Sequence, residues 1–300
     1  MKLHYIFLSF LIISSLIFSC KKEGVKSPEF DVKTDKVTYK VGEQVVFNFS
    51  GNPNFISFYS GEVGNNYANR ARTRENGKAI MQFTSTQAGG SQVGNLKIMI
   101  SNDFSGVYDA PSIAKATWTD ITNRAVLSPG GTVGSNTPSG NVDLSDYAAL
   151  NKPVYIGFYD FAPQNTLQPR GWTIGGLTIN NTLTDKTIFA VVPNFLAAGF
   201  VAVDLQNPTY KWTITSTQMQ VPSIVPGQAT NEDWSISTAI DLNTVNPDYS
   251  IPIKGIDTRV ANYSYVFKAA GTYTVTFLAS NINVDDEKDI VKTLVLTINP

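Results

Sequence analysis

The chain of 300 residues holds one histidine, His4, and one cysteine, Cys20, both within its first twenty residues. Downstream there is neither imidazole nor thiol. Ser-His-Asp and Cys-His nucleophilic systems and the usual histidine-centred zinc sites are therefore excluded from the rest of the chain. A single cysteine also forbids any disulfide within the chain. Excess charge of one sign is missing as well: 23 Lys and Arg stand against 24 Asp and Glu, which gives no electrostatic reason to bind nucleic acid. Amphipathic helices of any length are lacking, and "LSDYAALNK" (Leu144 to Lys152) amounts to a turn or two. Gly130-Gly131 and Gly175-Gly176 sit in turns with no helix to follow, so neither a phosphate loop nor a dinucleotide fingerprint is present.

What is there begins with "MKLHYIFLSFLIISSLIFSC", a short polar start with Lys2 and an apolar run from Tyr5 to Phe18. A bilayer-spanning helix needs roughly 20 apolar residues, so this run reads as a secretory signal over residues 1–19. Its end in Ser19-Cys20 is the lipobox arrangement, in which the Cys20 thiol takes a diacylglycerol, the chain is cut before it, and the new amine is acylated. The bland alternative is an ordinary signal with Cys20 a bystander. Two or more acyl chains suffice for stable anchoring where one is marginal. Residues 20–28 read as a polar, turn-prone tether, and the length that remains suits two domains.

Strand signals dominate the remainder: 11% aromatic residues with many Thr, Asn, Gly and Ser is a β-protein composition, and the predicted class is all-β. Near the start, "VTYKVGEQVVFNFSG" and "NFISFYSG" alternate with period 2, placing Val45, Phe47 and Phe49 on one face. The last forty residues repeat the pattern. Tyr263, Tyr265 and Phe267 share a face, Tyr273, Val275 and Phe277 follow a turn at Ala270-Gly271, and Leu294, Leu296 and Ile298 close the chain. The apolar strand "ISFYS" lacks sheet partners nearby in sequence.

"VGEQVVFNFSG … ISFYSGE" and "YVFKAAGTYTVTFLASN" resemble the two halves of a PKD-type immunoglobulin-like domain, with Ser60-Gly61-Glu62 in place of its Gly-Asp turn and Gly271 to Val275 in place of its late hairpin. The resemblance implies one sandwich, residues 29–63 plus 262–300, split by an inserted domain over 64–261, so that the partners of "ISFYS" arrive after the insert. The series "LKIMISNDFSG … ATWTDIT … SGNVDLSDY … KPVYIGFYDF … GWTIGGLTI" within the insert resembles galactose-binding-like jelly-roll modules. The combined order is similar to a Bacteroidetes lipoprotein family known as domain of unknown function 5017. That resemblance implies an outer-membrane, surface-facing anchor and a non-catalytic accessory role beside a polysaccharide-uptake complex, with a polysaccharide or oligosaccharide as ligand. It also allows a structural Ca²⁺ involving Asp103 or Asp109.

Sugar sites need aromatic faces and a few polar groups. Loop aromatics are the candidates: Tyr108 in "DFSGVYDAPS", and Phe161, beside Asp160, with Arg170 bounding "FAPQNTLQPR". Trp118, Trp172, Trp212 and Trp234 lie in strand-like segments, where alternation points to the core. Arg70, Arg72 and Arg74 read as a solvated strand face. Paired acids for a glycoside hydrolase or lyase remain an alternative, from Asp120, Asp143, Asp146, Asp160, Glu232 and Asp233, each of which reads more simply as a turn or strand-end residue that satisfies local backbone N–H groups. Asp285, Asp286, Glu287 and Asp289 read as a solvated hairpin tip. A third reading is a structural or adhesive surface protein that docks a protein partner.

Overall fold

A computed structural model describes residues 24–130 and 136–300. The signal segment, Cys20 and Gly131 lie outside the described residues. Four strands open the chain: β1 (Phe30–Lys33), β2 (Thr38–Lys40), β3 (Gln44–Gly51) and β4 (Phe55–Tyr59). Next come β5 (Lys78–Ala88), β6 (Leu96–Ser101), helix α1 (Ala110–Lys115), β7 (Thr119–Asp120), β8 (Thr137–Pro138), β9 (Val142–Asp143) and helix α2 (Ser145–Ala148). Then follow β10 (Tyr155–Ala162), β11 (Gly171–Thr182), β12 (Ile188–Val192), β13 (Val201–Gln206), β14 (Thr213–Ile214), β15 (Gln218–Val221) and β16 (Asn231–Ile236). β17 (Ile251–Lys254), β18 (Asn262–Val266), β19 (Gly271–Ile282) and β20 (Glu287–Asn299) end the chain. The protein is all-β, as its composition predicts, and the strands form sheets in a sandwich-like arrangement.

The strands fall into two compact units. The described residues up to Arg70 join Asp248–Pro300 in one, and Ala71–Pro247 forms the other. Residues 64–70 and 248–261, read from sequence as part of the insert, thus pack in the first unit.

In the first unit a three-stranded sheet, β1-β3-β18, faces a five-stranded sheet, β17-β4-β19-β20-β2. β4 is paired on both sides by strands from the end of the chain: Ile251 of β17 and Phe277 of β19 both stand opposite Phe58. Alternation puts Ile56 and Phe58 inside, where Phe58 meets Phe47, Tyr263, Tyr265 and Phe277 at ring-centroid distances of 5.0–5.6 Å. Burying each such ring contributes about 1.5–3 kcal/mol. After β4 the chain must turn sharply, and Gly61 does so at φ +81°, with a β-carbon there only 2.7 Å from the Thr274 carbonyl oxygen. The acidic tip between β19 and β20 is a local turn in which Asn283 Oδ1 accepts from the amides of Asp285 and Asp286.

In the second unit a five-stranded sheet, β13-β16-β10-β6-β7, packs on a seven-stranded one built on β14-β15-β11-β5-β8, with β12 beside β11 and β9 beside β5. Ile98, Ile100, Ile156 and Phe158 from the first sheet meet Met81, Phe83, Ile174 and Ile179 from the second, all 0–2% exposed. Trp172 and Trp212 sit in this core, as alternation predicts. The run Arg70 to Arg74 is not a strand: Arg70 covers the Tyr67 ring, Arg72 pairs with Glu75, and Arg74 pairs with Asp241.

Candidate functional site

The five-stranded sheet of the second unit has a second, outward face, and its phase is set by β10. Because Ile156 and Phe158 point into the core, Tyr155, Gly157, Tyr159 and Phe161 point out. In-register pairing brings Lys97 of β6 and Trp234 of β16 to either side of Tyr159, and Glu232 beside Phe161. Trp234 is therefore not a residue of the main core. Asn231, Asp233 and Ser235 take the inward positions of β16, which forces Glu232, Trp234 and Ile236 outward.

The segment after β6 folds over this face and is tied down at several points. The Asp103 carboxylate accepts from Ser101 Oγ and from the Thr117 amide, both at 2.8 Å, which closes the segment's two ends. Asp109 caps α1 through the Ser112 amide at 2.8 Å, and the helix delivers Ile113 to the sheet. Tyr108 Oη donates to the Ser237 carbonyl at 3.1 Å, and Trp118 Nε1 donates to the Ile113 carbonyl at 3.1 Å. Hydrogen bonds hold the Asp103 and Asp109 carboxyls below the ordinary range, from Thr117 and Ser112 respectively. Each thus has a local structural partner. Among the described residues no cluster of three or more His, Cys, Asp or Glu could hold a metal ion.

Between this cover and the sheet lies a pocket of about 350 Å³. Trp118 and Trp234 are 4.8 Å apart by ring centroid, and Tyr159 is 4.6 Å from Trp234. Met99, Ile113 and Leu205 add apolar wall, and Lys97 and Glu232 add charge. Phe161, 39% exposed, continues the aromatic row, stacked 6.1 Å from Tyr159 at an interplanar angle of 11°. Gly157 makes the arrangement sterically possible: a β-carbon there would lie 2.9 Å from the Trp234 ring and 3.4 Å from that of Trp118. Tyr159 Oη donates to Glu232 Oε1 at 3.1 Å. Burial, then the charge of Glu232, pushes the Tyr159 phenol well above its ordinary range.

The four residues singled out in sequence divide between the two faces. Phe161 and Tyr108 belong to the outward face, Phe161 open to solvent and Tyr108 packed edge-on against Phe104 as part of the cover. Asp160 points inward and is 2% exposed; it stands opposite Asp233, itself 1% exposed. Asn95 Nδ2 donates to Asp160 Oδ1 at 2.7 Å and to the Arg170 carbonyl at 2.8 Å, and Asn231 Nδ2 donates to Asp160 at 3.3 Å and to Asp233 at 2.6 Å. Burial pushes both Asp160 and Asp233 up to about 7. Asp160 and Arg170 are joined through Asn95, away from the pocket. Sequence reasoning missed Trp118 and Trp234. The polar triplet Asn231, Asp233 and Ser235, placed inward, turns Trp234 to the opposite face of the sheet, where it is buried under the cover; no such local pattern marks Trp118.

A second open depression, of about 510 Å³, is lined by Arg124, Asp143 and Asp146. Arg124 grips Asp146 with two bonds of 2.8 and 2.7 Å and holds that carboxyl below its ordinary range, and Ser145 does the same for Asp143. Neither acid is poised to donate a proton near neutral pH.

The chain belongs to the family described as domain of unknown function (DUF5017), whose model matches residues 19–200. No curated protein and no solved structure matches it significantly. Among the described residues no helix is long and apolar enough to cross a membrane.

Proposed function

We propose that this protein is a non-catalytic glycan-binding lipoprotein, held to an outer membrane through lipid on Cys20 and turned to the cell surface, serving a polysaccharide-uptake system. In this reading the first unit is a PKD/immunoglobulin-like domain and the second a jelly-roll module inserted into it. The observation that carries the binding role is the row Phe161, Tyr159, Trp234 and Trp118, which ends in a pocket with two charged groups at its edge. Sugar rings stack on such faces while a few polar side chains read their hydroxyls. The site is accordingly Phe161, Tyr159, Trp118, Trp234, Glu232 and Lys97; Tyr108 supports the cover, and Asp160 and Arg170 support the sheet. The glycosidase alternative is disfavoured because Glu232 is the one candidate acid that lines the aromatic pocket, while Asp160 and Asp233 are buried among core residues and Asp143 and Asp146 are held below their ordinary range by Ser145 and Arg124.

The test is a glycan array with residues 24–300, as wild type, Phe161→Ala and Trp118→Ala. The expected result is a defined set of hits, weakened in both variants. A folded, soluble protein that binds no glycan would overturn the reading in favour of docking a protein partner.

A further inference from the structure

Resting on the glycan-binding reading, the pocket's charges narrow the ligand. Two of its lining residues carry opposite charges, but they are not equivalent. Lys97 Nζ lies 3.6 Å from Asp120 Oδ2, so its charge is already answered outside the pocket. Glu232 has no cation within ion-pair distance among the described residues; its one bonded partner is the neutral Tyr159 hydroxyl. The pocket thus presents a carboxylate without a counter-charge beside Trp118, Trp234 and Tyr159. Aromatic faces attract cations through the ring quadrupole, and grouped aromatics of this kind recognise ammonium groups. A carboxylate at the same place accepts a charge-assisted hydrogen bond from an ammonium, about twice as strong as a neutral one.

We propose that the pocket recognises a protonated amine on its glycan, so that the preferred ligand is an amino sugar with a free ammonium group rather than its N-acetylated or neutral counterpart. The aromatic rings and Glu232 together select the cation. Phe161, exposed beside Tyr159, stacks on the neighbouring ring of the chain. Acetylation removes the charge and adds bulk at the position where the three aromatics converge.

The experiment is calorimetric titration at pH 6 and low salt with three probes of equal length: glucosamine oligosaccharides, N-acetylglucosamine oligosaccharides and glucose oligosaccharides. The free amine is expected to bind at least tenfold tighter than either other probe, with the preference shrinking as salt is raised. Glu232→Gln keeps an oxygen for the Tyr159 hydroxyl and so keeps the fold, and it is expected to abolish the preference. Lys97→Gln leaves the Asp120 carboxylate without its partner at the edge of the pocket and is expected to tighten binding of the amine. If the neutral or acetylated probe binds as tightly as the amine, or if Glu232→Gln leaves the preference intact, the inference falls while glycan binding stands. If none of the three binds and the array is also blank, both fall together.

Discussion

Replacing Asp233 by Asn probes the interior of the sheet that carries the pocket. Asp160 and Asp233 stand opposite each other on β10 and β16, buried, with one Asn231 amide shared between them. Two carboxylates so placed cannot both ionise cheaply, and burial raises each from 3.8 to about 7. A carboxylate whose folded-state pKa is raised favours the folded state at low pH. That contribution is complete below 3.8 and is lost as pH rises through about 7. Taking one such group, stability should fall by about 3 kcal/mol between pH 5 and pH 8. The protons of the pair leave in steps that belong to both residues, so the assay reads the pair. Carboxylates held low by hydrogen bonds, such as Asp103 by Thr117 and Asp143 by Ser145, lose their contribution only as pH falls below their ordinary range, outside this window. In Asp233→Asn the amide oxygen can keep the Asn231 bond, while the NH₂ takes the place of an oxygen that has no partner among the described residues. The expected outcome by urea denaturation at pH 5, 6, 7 and 8 is a wild type that weakens steadily with pH and a variant that keeps only the Asp160 part of that fall, so that its profile is shallower and it is more stable than wild type at pH 8. Equal slopes in the two proteins, or a wild type more stable at pH 8 than at pH 5, would show that Asp233 is not held protonated in the folded protein.

Gly157→Ala should push Trp234 and Trp118 off the strand, costing about 1–3 kcal/mol by overpacking and weakening glycan binding; a melting curve and the array check both. Phe58→Ala removes a ring packed against four others and should cost about 3–5 kcal/mol, read as a lowered urea midpoint. Asp109→Ala deletes the cap of α1 and should cost about 1 kcal/mol, with amide exchange rising in the cover over residues 102–118 while the strands stay protected.

Much of the fold was legible because period-2 alternation is a local signal. Val45, Phe47, Val275, Phe277 and Leu296 are all buried where alternation places them. The missing partners of β4 were a legible gap, filled by β17 and β19 from the far end of the chain. β17 itself was not legible, since "IPIK" holds a proline and its residues fell within the stretch read as the insert. The site was less legible for a physical reason. Alternation says that a strand has two faces, but which face meets the core is decided by neighbouring strands. In β16 the inward residues are Asn231, Asp233 and Ser235, satisfied in part by cross-strand partners, so Trp234 is buried as alternation suggests, at 6% exposure, but in the smaller cluster on the opposite face of the sheet. Asp160 misled in the opposite way, as its place beside exposed Phe161 suggests the surface whereas period 2 sends it inside. Helix α1 is too short for a periodic signal and is marked only by the Asp109 cap and Pro111 in its first turn.

Binding at the aromatic row is read by tryptophan fluorescence during titration with the strongest array hit, in wild type and Trp118→Ala. The expected result is a saturable change in wild type with the same Kd as calorimetry, and affinity reduced at least tenfold in the variant. A hit that binds Trp118→Ala as tightly as wild type, with no change in tryptophan emission in either, would place the ligand away from the aromatic row.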